Sequence, residues 1–333
     1  MYDIIIIGAG PAGLAAATYC LNKRMEVLVI APDLGGKANY RLHLAGLEGF
    51  EHITGEEIVR KFRSQLQYLQ TFAHVRDTVK QVEVKPGAEH ETTEYSQTLA
   101  EYSQTFAEYS QTFAEYSQTF AVTTEDGKHF PARSIILATG VEPIRLNVAG
   151  EEGALGRGLS YSAISHAPLF WERETAVVGS GNLALRSAAE LASTAKRVVL
   201  VAPEGLGDSP LKRKLAAMDN VTILEKHTVR RLHTNGYLHG ITIFDPAGHE
   251  QEVPVSGVFV ELGLIPQSEA VKGCVDLDQD GYVVVDDRCR TSRPGIFAAG
   301  DVTNTYGEQV LIATGEGVKA ALAAYDYLLG LES

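Results

Sequence analysis

Glycines at a fixed spacing follow the first apolar run of the chain. That run, Tyr2–Ile7, is rich in β-branched residues, as in a strand buried on both faces of a parallel sheet. The motif Gly8-x-Gly10-x-x-Gly13 follows, and a helix is predicted over residues 14–21 and a second strand over 26–30. Glycines at this spacing allow a tight turn and a close approach of a pyrophosphate to the helix N-terminus. The segment is therefore predicted to be a βαβ dinucleotide-binding unit.

A second motif of the same kind lies near the middle of the chain. Gly179-x-Gly181-x-x-Ala184 follows a strand predicted to begin near residue 175 and opens a helix predicted to end near residue 193. Another strand is predicted over residues 197–201. Two dinucleotide-binding units predict two doubly wound domains.

Glu204 follows the last of these strands. An acid at this place can accept a hydrogen bond from the ribose 2′-OH of NAD, and it repels the 2′-phosphate of NADP. The next basic residue along the chain is Lys212. The pattern favours NADH over NADPH, if this unit binds a nicotinamide at all.

Composition and charge restrict the class of protein. The 333 residues suffice for two domains, and 45% of them are apolar, so packed cores are expected. A formal net charge of −13 argues against a nucleic-acid partner, whose phosphates would be repelled. The longest apolar runs are too short to cross a bilayer and the first residues lack a signal-peptide pattern, so we expect a cytoplasmic protein with no membrane contact.

The three cysteines do not form a redox or metal motif. Cys20, Cys274 and Cys289 are far apart in sequence, so no C-x-x-C pair exists. Cys20 falls on the helix after the first glycine motif and is predicted to be a small buried apolar residue. We expect no metal site.

Three further segments carry a resemblance to a known family. Thr139-Gly140 ends a strand predicted over 135–138, residues 291–301 end in Ala-Ala-Gly300-Asp301, and residues 307–317 begin Gly-Glu-Gln-Val. With the first glycine motif, these segments resemble FAD-dependent pyridine nucleotide-disulfide oxidoreductases, specifically the low-molecular-weight thioredoxin reductases and the alkyl hydroperoxide reductase flavoprotein. The resemblance covers nearly the whole chain apart from residues 94–121.

The resemblance implies an α/β fold with two Rossmann-like domains. The first is discontinuous, comprises residues 1–150 and 268–333, and would hold FAD. The second comprises residues 154–265 and would be NAD(P)-binding-like, with contacts at Gly179, Gly181, Ala184 and Glu204. A homodimer is also implied.

The resemblance assigns FAD contacts to four turns and one helix start. In the family the aspartate of the Gly-Asp pair binds the ribityl chain, and the following helix directs its N-terminus at the flavin, which stabilises the anionic reduced form. Two interpretations of Asp33 stay open, as a ligand of the adenosine ribose or as an exposed turn aspartate. The assigned positions are Gly8, Gly10, Gly13, Asp33, Gly35, Gly36, Thr139, Gly140, Gly300, Asp301, Gln309 and Val310.

Four near-identical heptads, EYSQTLA and three copies of EYSQTFA, occupy residues 94–121. They interrupt a small β-meander predicted from strands over 79–84 and 121–125. Their aromatic spacing traces an a/d stripe, but their composition favours neither helix nor strand. Tandem duplication at an exposed turn is the simpler interpretation, and an oligomeric contact is the alternative.

Serines stand where the resembled family has its redox C-x-x-C. Ser162 and Ser165 frame the sequence Ser-Ala-Ile-Ser, and a hydroxyl cannot cycle between dithiol and disulfide. Both serines are predicted to lie at a helix start. The adjacent His166 does not by itself supply the base that a serine nucleophile requires. The sequence therefore leaves the catalytic residues unknown.

The resemblance implies an oxidoreductase that passes electrons from a reduced nicotinamide, NADH or NADPH, through FAD, and the missing dithiol predicts that the acceptor is not a disulfide. Quinones, a ferredoxin-like protein, free flavin and dioxygen are candidates. Two alternatives remain open. One is a relative independent of pyridine nucleotide, linked to ferredoxin or holding a second flavin. The other is a non-catalytic, sensory flavoprotein.

Overall fold

The computed structural model describes residues 1–40, 42–46, 55–69, 72–86 and 118–330. Most of the heptad segment 94–121 lies outside these residues, so both interpretations of it stay open. The described residues divide into two compact units. The first contains those of residues 1–39, 53–141 and 266–330, and the second those of residues 40–46 and 142–265.

The strands are numbered in chain order. They are β1 (Tyr2–Ile7), β2 (Val27–Ile30), β3 (Ala73–Val75), β4 (Val79–Lys85), β5 (Thr119–Thr124), β6 (His129–Leu137), β7 (Val141–Pro143), β8 (Leu159–Ser160), β9 (Glu174–Val178), β10 (Arg197–Ala202), β11 (Val221–Glu225), β12 (Thr228–Thr234), β13 (Leu238–Phe244), β14 (Glu250–Val253), β15 (Gly257–Val260), β16 (Leu264–Pro266) and β17 (Ile296–Ala298).

The helices of the described residues are numbered in the same way. They are α1 (Pro11–Asn22), α2 (Gly55–Tyr68), α3 (Glu151–Ala154), α4 (Ala163–His166), α5 (Asn182–Ala192), α6 (Pro210–Ala216) and α7 (Val310–Leu328). Short 3₁₀ turns cover Gly36–Asn39, Ala167–Phe170 and Glu269–Val271. The sequence predicts that the helix of the first βαβ unit begins at residue 14. In the structure it begins three residues earlier, at Pro11, because proline has the fixed φ that suits a first helical residue.

The first unit is built on a mixed sheet in the order β3-β2-β1-β6-β5-β4, with β17 also paired to β6. Strand β6 has two partners on the same edge. Its first half pairs antiparallel with β5, as in Phe120↔Ala132, and its second half pairs parallel with β17, as in Ile135↔Ile296. The predicted meander is confirmed, and it joins the parallel sheet through this one long strand.

Strand β1 shows why this sheet is the centre of the unit. Ile4 and Ile6 pack into the core on one face, and Ile5 and Ile7 pack into the core on the other. All four are at most 2% exposed. Each buried isoleucine stabilises the fold by about 1.5–3 kcal/mol, so both faces must be covered by other elements. Helices α1 and α7 cover the first face.

The second unit has a parallel sheet in the order β11-β10-β9-β15-β8 and an antiparallel sheet in the order β12-β13-β14. In the parallel sheet the order reverses at β9, between β10 and β15. Ligands of doubly wound sheets bind outside the carboxyl ends of the strands at such a point. Both units therefore have the Rossmann-like α/β architecture that was predicted.

The boundary of the second unit differs from the predicted one. Residues 142–150, which the sequence analysis placed in the first domain, group with the second unit. The reason is a hydrogen bond from the Leu232 amide to Ala149 O at 2.8 Å, and Gly150 packs against the carbonyl of Leu232. Residues 42–46 group with the same unit, since His43 donates its amide proton to Gly156 O at 2.8 Å. Which cofactor each unit binds stays a prediction.

Candidate functional site

The first glycine turn is shaped by close packing. Gly8 has φ +99°, and a Cβ there would lie 2.3 Å from Ala138 O. A Cβ on Gly13 would lie 2.0 Å from Gly8 O. A Cβ on Gly10 would meet nothing within 4 Å, although Gly10 is the N-cap of α1. Gly8 and Gly13 thus pack strand against helix, while Gly10 faces the open side where a pyrophosphate can approach the helix N-terminus.

The carboxyl ends of neighbouring strands surround this turn. The Ala138 amide donates to Ile7 O at 2.7 Å, and the Ala299 amide donates to Leu137 O at 2.9 Å. The ends of β1, β6 and β17 therefore lie side by side. Gly8, Thr139 and Gly300 follow these three strands, so the structure brings three of the predicted flavin segments to one edge of the sheet.

The Asp33 side chain stabilises the turn in which it lies. Its Oδ1 accepts the Gly36 amide at 2.9 Å and the Asn39 side-chain amide at 3.2 Å. The turn is fastened to the glycine motif, because the Gly35 amide donates to Ala9 O at 2.7 Å. These contacts favour the turn-aspartate interpretation, and contact with a ribose stays a prediction.

Gly36 completes that turn at the opening of the first motif. Its φ is +54°, and a Cβ there would lie 3.3 Å from Gly10 Cα. The pair Gly35-Gly36 thus brings its backbone close to Gly10, and its contact with FAD stays a prediction.

Thr139 and Gly140 are tied to the returning chain. The Thr139 hydroxyl donates to Gln267 O at 2.6 Å, and the Gln267 amide donates to Gly140 O at 2.9 Å. Gly140 has φ +71°. In this arrangement the Thr139 side chain stabilises the turn, and its contact with FAD stays a prediction.

Gln309 is the N-cap of α7, and its side chain offers a buried hydrogen-bond donor at the helix start. Its Nε2 atom is buried and has no hydrogen-bond partner among the described residues. A buried donor without a partner costs about 1–3 kcal/mol, so a group that accepts from it is expected in the working protein. The next residue, Val310, packs against the core beside α1. These are the two helix positions assigned to FAD.

A cluster of charges that the sequence analysis missed lies beside Gln309. Lys37 Nζ is 2.8 Å from Asp301 Oδ2 and 4.0 Å from Glu308 Oε2. Burial raises the pKa of Glu308, Asp301 raises it further, and Lys37 opposes the rise. The carboxylate assigned to the ribityl chain is thus already bound to an ammonium group.

The sequence contains a signal for the two charged residues that the sequence analysis missed. Lys37 directly follows the glycine pair, and Glu308 directly precedes Gln309. A third missed residue, the buried Glu316, accepts the Gly300 amide at 2.8 Å from its place on α7. It fixes the turn that presents Asp301. The signal for Glu316 was weak, because it lies within an ordinary helical pattern.

The residues present fit FAD. Gly10 leaves room for a diphosphate at the N-terminus of α1, and Gln309 offers a buried donor at the N-terminus of α7. Both helix ends favour negative charge. The Asp301 carboxylate has further lone pairs besides the one bound by Lys37, so it can also accept hydrogen bonds from hydroxyl groups of FAD.

The second glycine turn repeats the packing of the first. A Cβ on Gly179 would lie 2.2 Å from Glu261 O, and Ala184 is fully buried beneath it. A Cβ on Gly181 would meet nothing within 4 Å, and Gly181 is the N-cap of α5. Glu204 lies beside this turn, since its amide donates to Ser180 Oγ at 2.9 Å. The four residues assigned to a nicotinamide nucleotide therefore share one edge of the second unit.

Ser162 and Ser165 lie together at the start of α4. The Ser162 hydroxyl donates to Ser165 Oγ at 3.0 Å, and Ser162 is the N-cap of the helix. The predicted position at a helix start is confirmed for Ser162, whereas Ser165 lies within this four-residue helix. Ser162 makes no capping hydrogen bond. The buried carboxylate of Glu261 accepts the Ala163 amide at 3.3 Å in its place. It also accepts the Ser187 hydroxyl at 2.7 Å, which fixes α4 to α5.

His166 directs its ring to another serine. Its Nδ1 lies 2.7 Å from Ser160 Oγ. Ser160 is 4% exposed, so this pair is closed to an external substrate. The hydrogen bond holds the turn before α4, and a nucleophilic role for Ser162 or Ser165 gains nothing from it.

The three cysteines are free thiols. Cys20 is fully buried, which confirms the prediction for it, and burial raises its pKa to about 12. Burial also raises the pKa of Cys289 to about 11. Thiols with raised pKa values are poor nucleophiles at neutral pH. None of the three is poised for dithiol chemistry.

Within the part of the chain that the structure describes, no group of three or more His, Cys, Asp or Glu residues could hold a metal ion. Among the helices of the same residues, none combines the length and the hydropathy that a membrane crossing requires.

Comparison with known proteins identifies the family. The profile described as pyridine nucleotide-disulphide oxidoreductase matches residues 2–317. A component of alkyl hydroperoxide reductase from Pseudomonas putida is 31% identical over 98% of this chain and 58% of its own length. A Bacillus subtilis protein named NADH dehydrogenase is 30% identical over 98% of this chain and 59% of its own length. The chain thus spans about three-fifths of the length of these relatives.

Solved structures give the same result. Thioredoxin reductase from Streptococcus pyogenes is 29% identical, with a TM-score of 0.83 over 99% of both chains. Thioredoxin reductase from Giardia duodenalis is 22% identical, with a TM-score of 0.79 over 98% of this chain and 99% of that one, a likeness of fold alone. The chain belongs to the pyridine nucleotide-disulphide oxidoreductase family and has the thioredoxin-reductase-like flavoprotein fold.

Proposed function

We propose that this protein is an FAD-dependent oxidoreductase that takes electrons from NADH and passes them to an acceptor other than a disulfide. The observation that carries the proposal is the pair Ser162 and Ser165, whose Oγ atoms are 3.0 Å apart at the start of α4. The family resemblance assigns a redox dithiol to these two positions. Serine oxygen forms no counterpart of a disulfide under biological conditions, so electrons must leave by another route.

The first unit would hold FAD. Gly10 would admit the diphosphate, Asp301 would accept hydrogen bonds from ribityl hydroxyls, and the Gln309 amide would donate to the ring system. FAD supplies the capacity to accept a hydride and to release its electrons to an acceptor. Lys37 offsets part of the repulsion between the carboxylates of Asp301 and Glu308, and it places one positive charge at this end of the site.

The second unit would bind the electron donor. Gly181 and the N-terminus of α5 would hold the diphosphate of the nicotinamide nucleotide. The exposed carboxylate of Glu204 suits a ribose 2′-OH and repels a 2′-phosphate. The name of the Bacillus subtilis relative, NADH dehydrogenase, supports the same donor.

An anaerobic titration tests the proposal. The purified protein, reconstituted with FAD, is titrated with NADH and separately with NADPH while flavin absorbance is followed. Bleaching by NADH at lower concentrations than by NADPH is expected. Firmly bound FAD that neither nucleotide reduces would refute the hydride mechanism and favour a ferredoxin-linked or non-catalytic flavoprotein.

A second assay tests the acceptor. The NADH-reduced protein is mixed with a benzoquinone, with free FMN, with dioxygen, and with a protein disulfide, oxidised thioredoxin, whose potential of about −270 mV allows reduction by NADH. Reoxidation by one or more of the first three and none by the disulfide is expected. Disulfide reduction at a rate typical of enzymes, about 1–10³ s⁻¹, would contradict the proposal.

The protein is also proposed to be a homodimer. Leu311, Leu322 and Leu329 are 70%, 42% and 52% exposed. Leu329 is the C-cap of α7, and the spacing of eleven and seven places the three on one side of the helix. Burial of such a side chain in a dimer stabilises the assembly. Light scattering after size exclusion gives the mass, and replacement of Leu311 and Leu322 by glutamate is expected to shift it to that of one chain.

A further inference from the structure

The turn after β10 is held from two sides. The Glu204 amide donates to Ser180 Oγ at 2.9 Å, and the Glu204 carbonyl oxygen accepts from Lys226 Nζ. Ser180 lies between the two glycines of the nucleotide motif, and Lys226 follows β11 directly. Both contacts are made to the backbone of Glu204, while its carboxylate is exposed.

Lys226 is itself held in an unusual conformation. Its φ is +61°, in the left-handed region that side chains other than glycine seldom adopt. Its amide donates to Ala202 O at 2.8 Å, at the end of β10. A residue kept in such a conformation by its surroundings often marks a functional position.

We infer that Ser180 and Lys226 are positioning residues that hold Glu204 as the acid for a ribose 2′-OH, and so give the second unit its preference for NAD(H) over NADP(H). The inference rests on the proposed function of that unit as a nicotinamide site. It adds two residues that are 46 positions apart in sequence and that no motif connects.

The Ser180 hydroxyl links the phosphate-binding turn to the backbone of Glu204. A hydroxyl that accepts a hydrogen bond from the Glu204 amide keeps its own proton to donate. Because Ser180 belongs to the phosphate-binding turn, its position follows that turn. A nucleotide diphosphate bound at Gly181 would therefore fix the backbone of Glu204 as well.

Lys226 admits an opposite interpretation, in which its ammonium group binds a 2′-phosphate. The contact with the Glu204 carbonyl argues against it, since one donor of the ammonium group is already engaged there. The neighbouring Lys212 is paired with Glu225 at 2.6 Å, so it is also committed to the protein. The two interpretations predict opposite effects of removing Lys226, and binding measurements separate them.

The test is isothermal titration of the oxidised, FAD-loaded protein with NAD⁺ and with NADP⁺, which requires no turnover. The variants are Ser180→Ala, Lys226→Met and Glu204→Gln, with Ser180→Thr and Lys226→Arg as conservative replacements. Ser193→Ala and Lys272→Met are matched controls, because Ser193 donates to Glu190 O at its own helix end and Lys272 pairs with Glu269 on its own 3₁₀ turn.

The natural protein is expected to bind NAD⁺ at least about tenfold more tightly than NADP⁺, the effect of one hydrogen bond to a charged group. Glu204→Gln is expected to remove most of this preference, so that the dissociation constants of NAD⁺ and NADP⁺ become similar. Ser180→Ala and Lys226→Met should reduce it about three- to tenfold through weaker NAD⁺ binding, whereas the conservative replacements and the controls retain it.

Three results would overturn the inference. If Ser180→Ala and Lys226→Met keep the natural ratio, the two residues do not position Glu204. If Lys226→Met weakens NADP⁺ and leaves NAD⁺ unchanged, Lys226 is a phosphate ligand instead. If the natural protein binds neither nucleotide, the proposed nicotinamide site itself fails, and the inference fails with it.

Discussion

The unpartnered amide of Gln309 leads to a prediction in which two measurements move in opposite directions. Methionine has a similar length and no hydrogen-bond donor to bury. In the protein without FAD, Gln309→Met removes a buried Nε2 that has no partner among the described residues. The free energy of unfolding of this form is expected to rise by about 1 kcal/mol, the lower limit for a buried unsatisfied group.

The same substitution is expected to weaken FAD binding. In the FAD-loaded protein the variant loses one hydrogen bond, which is worth about 1 kcal/mol. The apo form has gained about the same amount, and both changes act against binding. Together they give about 2 kcal/mol, or roughly thirtyfold in the dissociation constant of FAD.

Chemical denaturation of the apo protein and fluorescence titration with FAD measure the two effects. Gln118→Met is the matched control, because Gln118 Oε1 is likewise buried without a partner among the described residues, and Gln118 directly precedes the meander strand β5. The control is expected to stabilise the apo protein and leave FAD affinity unchanged. A Gln309→Met variant that loses apo stability while binding FAD normally would show that the amide serves the fold rather than a ligand.

Three further predictions concern the glycines, the serines and Glu308. Gly13→Ala places a Cβ 2.0 Å from Gly8 O and is expected to lower the melting temperature strongly. The Cβ of Gly10→Ala meets no atom within 4 Å, so this variant should lower only the affinity for FAD. Equal melting temperatures of the two variants would contradict the packing argument. Replacement of both Ser162 and Ser165 by cysteine should give two thiols that oxidise to a disulfide, because the present Oγ atoms are 3.0 Å apart; thiol titration before and after mild oxidation checks this. Burial raises the pKa of Glu308 above 4.5, so the folded protein binds this proton more tightly than the unfolded chain and its contribution to stability falls as the pH rises above about 4.5. Glu308→Gln should therefore flatten that fall in denaturation curves, and an unchanged pH profile would refute it.

Local patterns predicted the framework of the fold well. The alternating burial of β1 on two core faces follows from four consecutive isoleucines, and a glycine motif can be recognised from its spacing alone. The helix start after Gly181 follows from the second motif, whereas α1 starts at Pro11, three residues before the predicted position. These features depend on residues that are close together in the chain, so the sequence contains their full cause.

Contacts between distant segments could not be predicted in this way. Glu261 binds the start of α4 from 98 positions away, and Lys226 reaches Glu204 from the end of another strand. The two roles of Asp33 require the same residue type at the same place, so only its observed contacts separate them. The boundary at residue 142 likewise depends on which backbone atoms meet in space.

The pairing of Lys85 with Thr119 has a consequence for how this chain can change. These residues close the β4–β5 ladder, so residues 86–118 begin and end at neighbouring points. One more heptad between them would raise the loop-closure free energy by only about 0.2 kcal/mol. Duplication of a heptad between these two residues therefore costs the fold little stability. The same position is a suitable insertion site for a reporter domain.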